Sequence, residues 1–223
     1  MDENEVSFAL VTEGITDQVT LEAILKGHYK RFDGDIDVVV NSIQPIRDAT
    51  DASRQGDFGG WERVFEACAR PEVSDNALTF NQYLIVQIDT DMGDHPNFGL
   101  PLAPGGVDVD ETTLVAQARA LIATKFGDKW PHIENRVFTA VSVHSLECWL
   151  MALHALAENR STRRCDERLR QELARQNKAY DKNHACYAEI SKDFRKTRLL
   201  DSARARCVSL DHFVSDLPPP VEA

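Results

Sequence analysis

YLIVQIDTDMGD, residues 83 to 94, sets the reading of this chain. Tyr83, Leu84, Ile85, Val86 and Ile88 form a short, nearly continuous apolar run, the pattern of a strand covered on both faces in a parallel sheet. Asp89, Asp91 and Asp94 follow where such a strand leaves the sheet. Like charges so close raise one another's energy unless a cation or water lies among them. The stretch therefore predicts a fold and asks what neutralises its end.

The same alternation continues on either side. VSFALV (6 to 11) reads as a buried strand, and TEGITD turns from it into a helix over 16 to 29, with Val19, Leu21, Ile24 and Leu25 at helical spacing. IDVVVNSI (36 to 43) is a second strand, the polar stretch 45 to 60 a loop, and WERVFEACA a short helix. GDHPNFGLPLAPGGVDVD is rich in Pro and Gly, hence a long loop. ETTLVAQARALIATKF reads as a helix whose acidic start suits the helix dipole. RVFTAVSV (136 to 143) is a fourth strand, and HSLECWLMALHALAE a helix starting at Ser145, with Leu146, Trp149, Leu150, Leu153 and Leu156 on its apolar face. Strands alternating with helices predict an α/β fold with a mainly parallel four-stranded sheet. The expected organisation is a domain over 1 to 158, a basic helical extension packed on it over 159 to 206, and a frayed tail over 207 to 223, where LPPP cannot continue a helix.

At 223 residues, 43% hydrophobic and 27% charged, the chain can bury a full core as one domain or a domain with an appendage. No stretch approaches the roughly 18 to 20 apolar residues of a membrane span. MDENEV is acidic where a secretory leader is basic, so the expected location is the cytoplasm, with no membrane partner. Cys68, Cys148, Cys165, Cys186 and Cys207 are odd in number and never in a CxxC pair, which argues against a disulfide framework and a structural zinc site. The net charge of −11 argues against a free-standing nucleic-acid binder. It is unevenly spread: residues 1 to 158 hold 11 Lys and Arg against 26 Asp and Glu, residues 159 to 206 hold 14 against 7, and the remainder adds three acids alone.

In open α/β sheets, working groups gather at the carboxyl ends of the strands. Glu13 and Asp17 follow the first strand, Asp89 and Asp91 the third, and Glu147 the fourth, so parallel strands bring them to one edge. Asp89 and Asp91, two apart, share a face if the strand pairing persists. Such an oxygen-rich cluster is what hard divalent cations select, and two such ions can clamp the attacking and leaving oxygens of a phosphodiester.

VTEGITDQVTLEAIL resembles the first motif of Toprim domains, IDTD resembles their DxD motif, and SVHSLECWLMA resembles the third element of Toprim nucleases of the overcoming-lysogenization-defect (OLD) and RloB-like groups. The three fall in the family's order and cover about residues 6 to 158. The resemblance implies a Toprim, Rossmann-like fold and a nuclease that uses two Mg²⁺ or Mn²⁺ ions to break phosphodiester bonds in DNA, or RNA, as in bacterial anti-phage defence. It implies that Glu13 and Asp17 hold one ion, that Asp89, Asp91 and Glu147 hold or position the second, and that Gly14, His144 and Ser145 support them. A lysine beyond the third motif stabilises transition-state charge in OLD-type enzymes; Lys178 and Lys182 are the first candidates, Lys192 and Lys196 the second. The chain departs from the OLD pattern in having no P-loop GxxxxGK[ST], so ATP-driven regulation would come from a separate ATPase subunit.

Each residue also has a plainer reading. Glu13, Gly14 and Asp17 can be an acidic helix start, Asp89 and Asp91 turn residues, Glu147 a first-turn acid, Ser145 a helix cap and His144 a structural histidine. The basic stretch can be a solvated face paired with the acidic body rather than a phosphate-tracking surface. The rival to the nuclease is a non-catalytic or conditionally active subunit docking on a partner ATPase, since an acidic body repels nucleic acid. Homo-oligomer formation is left open by the sequence.

Overall fold

The computed structural model describes residues 4–32, 36–45, 60–155 and 161–220. Strands β1 (Glu5–Val11), β2 (Asp37–Gln44), β3 (Tyr83–Asp89) and β4 (Val137–Ser142) form one all-parallel, Rossmann-like sheet in the order β2-β1-β3-β4. The register sets Val11 opposite Val86 and Asp89 opposite Ser142, so the carboxyl ends of β1, β3 and β4 lie side by side. β1 and β3 occupy the centre and bury nearly every residue, which is why they read as continuous apolar runs. Successive side chains alternate across them: Val6, Phe8, Leu10 and Ile85 enter one core, and Ala9, Val11, Leu84, Val86 and Ile88 the other.

The second core is covered by α2 (Gly60–Ala69), α3 (Pro71–Phe80), α4 (Glu111–Phe126) and the short α5 (Trp130–Ile133). The sequence reading leaves α3 unassigned, although Pro71 sits at its start and Glu72 in its first turn, the usual signals of a helix N-terminus. The first core holds α1 (Ile15–Tyr29), α6 (Glu147–His154), α7 (Cys165–Arg175), α8 (His184–Ser191), α9 (Thr197–Arg204) and α10 (Val208–Asp216). α1 is buried on most of its circumference, because the sheet lies on one side and α8, α9 and the 3₁₀ turn Lys192–Arg195 on the other. Gly27 permits that packing: a Cβ there would stand 1.9 Å from the carbonyl oxygen of Phe194.

Three expectations change. The segment expected to fray contains α10, whose Leu210, Phe213, Val214 and Leu217 recur at helical spacing and are all buried. The Trp149 indole stacks on Phe213 at 5.6 Å and donates to Ser209 Oγ at 2.9 Å, and Tyr29 donates its hydroxyl to the carbonyl of Pro218 at 2.7 Å. The prolines end this helix rather than preclude it. α6 starts at Glu147, two residues beyond Ser145. Cys148 and Cys165, expected as free thiols, form a disulfide with Cα atoms 5.0 Å apart; α6 and α7 pack together, so a separation of 17 residues says nothing about their distance in space. The loop expected over 45 to 60 lies, from 46 to 59, outside the described residues. The loop after β3 carries only the 3₁₀ turn Pro104–Gly106 before α4. Among the described residues no helix is long and apolar enough to cross a membrane.

Candidate acidic site

The ends of β1 and β3 are joined through side chains. Asp89 N donates to Glu13 Oε1 at 2.6 Å, Glu13 N donates to Gln87 Oε1 at 3.0 Å, and Gln87 Nε2 donates to Asp89 Oδ1 at 2.9 Å. Gln87, a fully buried polar residue within an apolar strand, is the adaptor that sets the two carboxylates against each other. α2 starts at the same point. The Trp61 N–H donates to the Glu13 carboxylate, and a Cβ on Gly60 would fall 2.4 Å from Glu13 Cβ. Only glycine lets the helix N-terminus approach so closely, and that terminus favours a carboxylate.

Asp17 occupies the third position of α1 and accepts from the Gly14 N–H at the helix start, half of a capping box. Its plain structural role is thus fulfilled while the side chain stays buried among acids. Pairing between β3 and β4 persists beyond the strands: Thr90 N donates to Ser142 O at 3.0 Å, Asp91 N to His144 O at 2.9 Å, and His144 N to Thr90 Oγ1 at 2.8 Å. Asp91 is therefore held beside the strand end. His144 takes a left-handed φ of 63° and keeps Nδ1 buried without a hydrogen-bond partner. Asp94 leaves the group, accepting from Leu102 N at 2.9 Å in the following loop.

Glu147 enters from the first turn of α6. Ser145 donates to its carboxylate, Tyr187 donates to Oε1 at 2.5 Å, and Lys182 Nζ lies 3.2 Å from Oε1. Ser145 thus supports Glu147 and does not cap the helix. Lys182 also reaches Asp166 at 3.5 Å; Tyr180 donates to Asp166 and lies 3.0 Å from the Tyr187 hydroxyl. Asp166 of α7, Tyr187 of α8, and Tyr180 and Lys182 of the stretch between these helices therefore surround Glu147. Sequence reading named the lysine; the tyrosines carry no local signal. Of the other lysines, Lys192 pairs with Glu189 and Lys196 with Asp193 at 2.7 Å. Lys178 acts on His154 and Asp193 instead of the acidic edge.

Charge shows how closely the acids crowd. Burial, then Asp17 and Asp91, push Glu13 to about 8 against the N–H groups of Asp89 and Trp61. Burial and Glu147 push Asp17 to about 7, opposed by the Gly14 N–H and Lys182. Burial, followed by Glu13, Asp17, Glu147 and Asp91, lifts Asp89 well above the carboxylate range. Asp91 rises through burial and Glu147, against the Met92 N–H, His144 and Lys182. Glu147 goes the other way: burial alone would raise it, but Ser145, Tyr187 and Lys182 hold it below its ordinary value.

No family model, curated protein or solved structure matches the chain. The site must be judged on its own chemistry. Its donors are hard oxygens, suited to Mg²⁺ or Mn²⁺. Their placement is incomplete for that purpose: among the described residues no group of three or more His, Cys, Asp or Glu stands in a position to hold a metal ion. At least one oxygen of each is engaged, Glu13 Oε1 by the Asp89 N–H, Asp89 Oδ1 by Gln87, and Glu147 Oε1 by Tyr187 and Lys182. A carboxylate has a second oxygen, so ligation requires the acids to draw together rather than to give up those donors.

Proposed function

We propose that this edge is the site of a Toprim-type, Mg²⁺- or Mn²⁺-dependent nuclease that hydrolyses phosphodiester bonds, with DNA the preferred substrate over RNA, in anti-phage defence. One observation carries the reading: four carboxylates that follow β1, enter α1 and end β3 are driven upward together, while Lys182 pairs with Glu147 and offsets only Asp17 and Asp91. A cluster of acids that repel one another in this way gains most from a divalent cation. Glu13, Asp17, Asp89, Asp91 and Glu147 would hold it, and the cation supplies charge that polarises the phosphodiester. The chain's own part is positional. Gln87 and the start of α2 fix Glu13, the continued β3–β4 pairing fixes Asp91, and Tyr187 with Ser145 fixes Glu147. Lys182, half-exposed beside Glu147, is placed to steady negative charge on a bound phosphate.

The test is incubation of purified protein with supercoiled plasmid in Mg²⁺, Mn²⁺ or EDTA, alongside Glu13→Ala and Asp89→Ala. Metal-dependent nicking, lost in both folded variants, is expected. Absence of cleavage in every metal overturns the stand-alone nuclease.

A second reading, a conditionally active subunit docked on an ATPase, is favoured by a different observation. Over the described residues 163 to 206, seven cations are engaged in ion pairs, among them Arg163 with Asp108, Arg164 with Glu167 and Arg204 with Asp211. That leaves less positive surface for tracking nucleic acid. Cleavage appearing only on addition of a partner would select this reading.

A further inference from the structure

The disulfide and the acidic site meet residue by residue. Cys148 follows Glu147 on α6, and Cys165 precedes Asp166 on α7; the two sulfurs are bonded, and Lys182 spans the two neighbouring carboxylates at 3.2 and 3.5 Å. The covalent bond therefore ties together the two backbones that present the lysine's partners. Arg164, immediately before Cys165, holds a left-handed φ of 56°, a conformation that a non-glycine residue keeps only where its surroundings enforce it. We infer that Cys148–Cys165 is a redox-modification site opened by a small thiol or dithiol, and that its closure holds Lys182 between Glu147 and Asp166.

Both cysteines are buried, and they line a surface pocket together with Ser161, Thr162, Arg168 and Cys207, so a reagent meets the bond only through that opening. Cys207 is the third sulfur there, but burial pushes its thiol up, which disfavours the thiolate that attacks a disulfide. Opening consequently needs a thiol from outside. A dithiol attacks one sulfur as the thiolate and forms a mixed disulfide, and its second thiol then displaces the protein sulfur. The Cys148–Cys165 bond breaks, two protein S–H groups form, and the reagent leaves as its own cyclic disulfide; two electrons and two protons pass to the protein. α7 remains seated through Leu169 and Leu173, both fully buried, so opening loosens the start of the helix without unfolding it.

The effect on Lys182 stands on this geometry alone; its consequence for cleavage rests on the nuclease reading. The test equilibrates the full chain in oxidised or reduced dithiothreitol with EDTA, maps the disulfide by non-reducing peptide analysis, and measures acetylation of Lys182 by acetic anhydride with Lys178 as internal reference. The expected results are a Cys148–Cys165 peptide in the oxidised sample and Lys182 acetylation about three-fold faster after reduction, the scale of losing a partly exposed ion pair. Plasmid cleavage in Mn²⁺ should then fall on reduction. Free thiols at both positions under every condition, or equal Lys182 reactivity in the two states, overturns the inference. A change in Lys182 reactivity without cleavage in either state keeps the brace and removes the nuclease. Comparing two states of the unaltered chain avoids dependence on Cys148→Ser, which could misfold.

Discussion

Of the thirteen Lys and Arg over residues 163 to 206, seven lie in ion pairs; at the carboxyl edge of the sheet four carboxylates face one another. Arg164 with Glu167, Arg175 with Glu172, Lys192 with Glu189 and Lys196 with Asp193 all close within one helical turn. Each such exposed pair contributes between nothing and about 1 kcal/mol. At the sheet edge, burial and mutual repulsion act on Glu13, Asp17, Asp89 and Asp91, opposed by a few backbone N–H groups and, at Asp17 and Asp91, by Lys182. The two regions show that charge counted along a sequence is a poor guide to charge left unbalanced in space. Part of the basic segment's charge is paired within a helical turn, whereas the acids that matter come from separate elements and meet only in the fold.

The largest expected effect separates these regions directly. Asp89→Asn should lower metal-dependent cleavage by about 10⁴-fold, the scale of removing a central metal ligand. It should also raise the metal-free melting temperature at pH 8, because a repelled, buried charge is gone. A variant that cleaves normally would place the chemistry elsewhere. Next comes Phe213→Ala in α10, which should cost about 3 to 5 kcal/mol in chemical denaturation. A loss below about 1 kcal/mol would show that the C-terminal helix is an appendage and not part of the core.

The pH response should follow with opposite signs at the two ends of α1. Asp17 and Glu13 are raised in the folded state, so their contribution to stability is complete below about pH 4 and is lost as pH rises through about 7 to 8. The metal-free melting temperature should decline over that range, and Asp17→Asn should flatten the decline. His28, buried against Tyr29 and Phe32 with neither ring nitrogen hydrogen-bonded, is lowered to about 4 by burial and by Arg31 and Arg204, with Asp201 opposing. Its neutral form is the folded one, so stability should fall as pH drops from about 6.5 to about 4, by roughly 2 kcal/mol, and His28→Leu should remove that part. The smallest effect belongs to the basic helices: Arg164→Ala and Lys192→Ala should each shift stability by less than about 1 kcal/mol.

How much of this was legible before the structure depends on whether a signal is local. The strands were readable because parallel strands buried on both faces must be apolar throughout, as YLIV shows. The acids could be grouped because parallel strands end at one edge. α10 was equally local, with Leu210, Phe213, Val214 and Leu217 in register, but three following prolines drew the reading toward a tail. Gln87 also offered a clue, a polar side chain inside an apolar run. Tyr180, Tyr187, Gly60 and the partnership of Cys148 with Cys165 had none, since each acquires its role from a neighbour distant in sequence.

Calorimetric titration of metal-free protein with Mn²⁺ at pH 7.5, in two buffers of different ionisation enthalpy, tests the central claim most directly. The account predicts binding that releases protons from the raised carboxylates and disappears in Asp89→Asn. No binding, or binding without proton release that Asp89→Asn leaves intact, would contradict it.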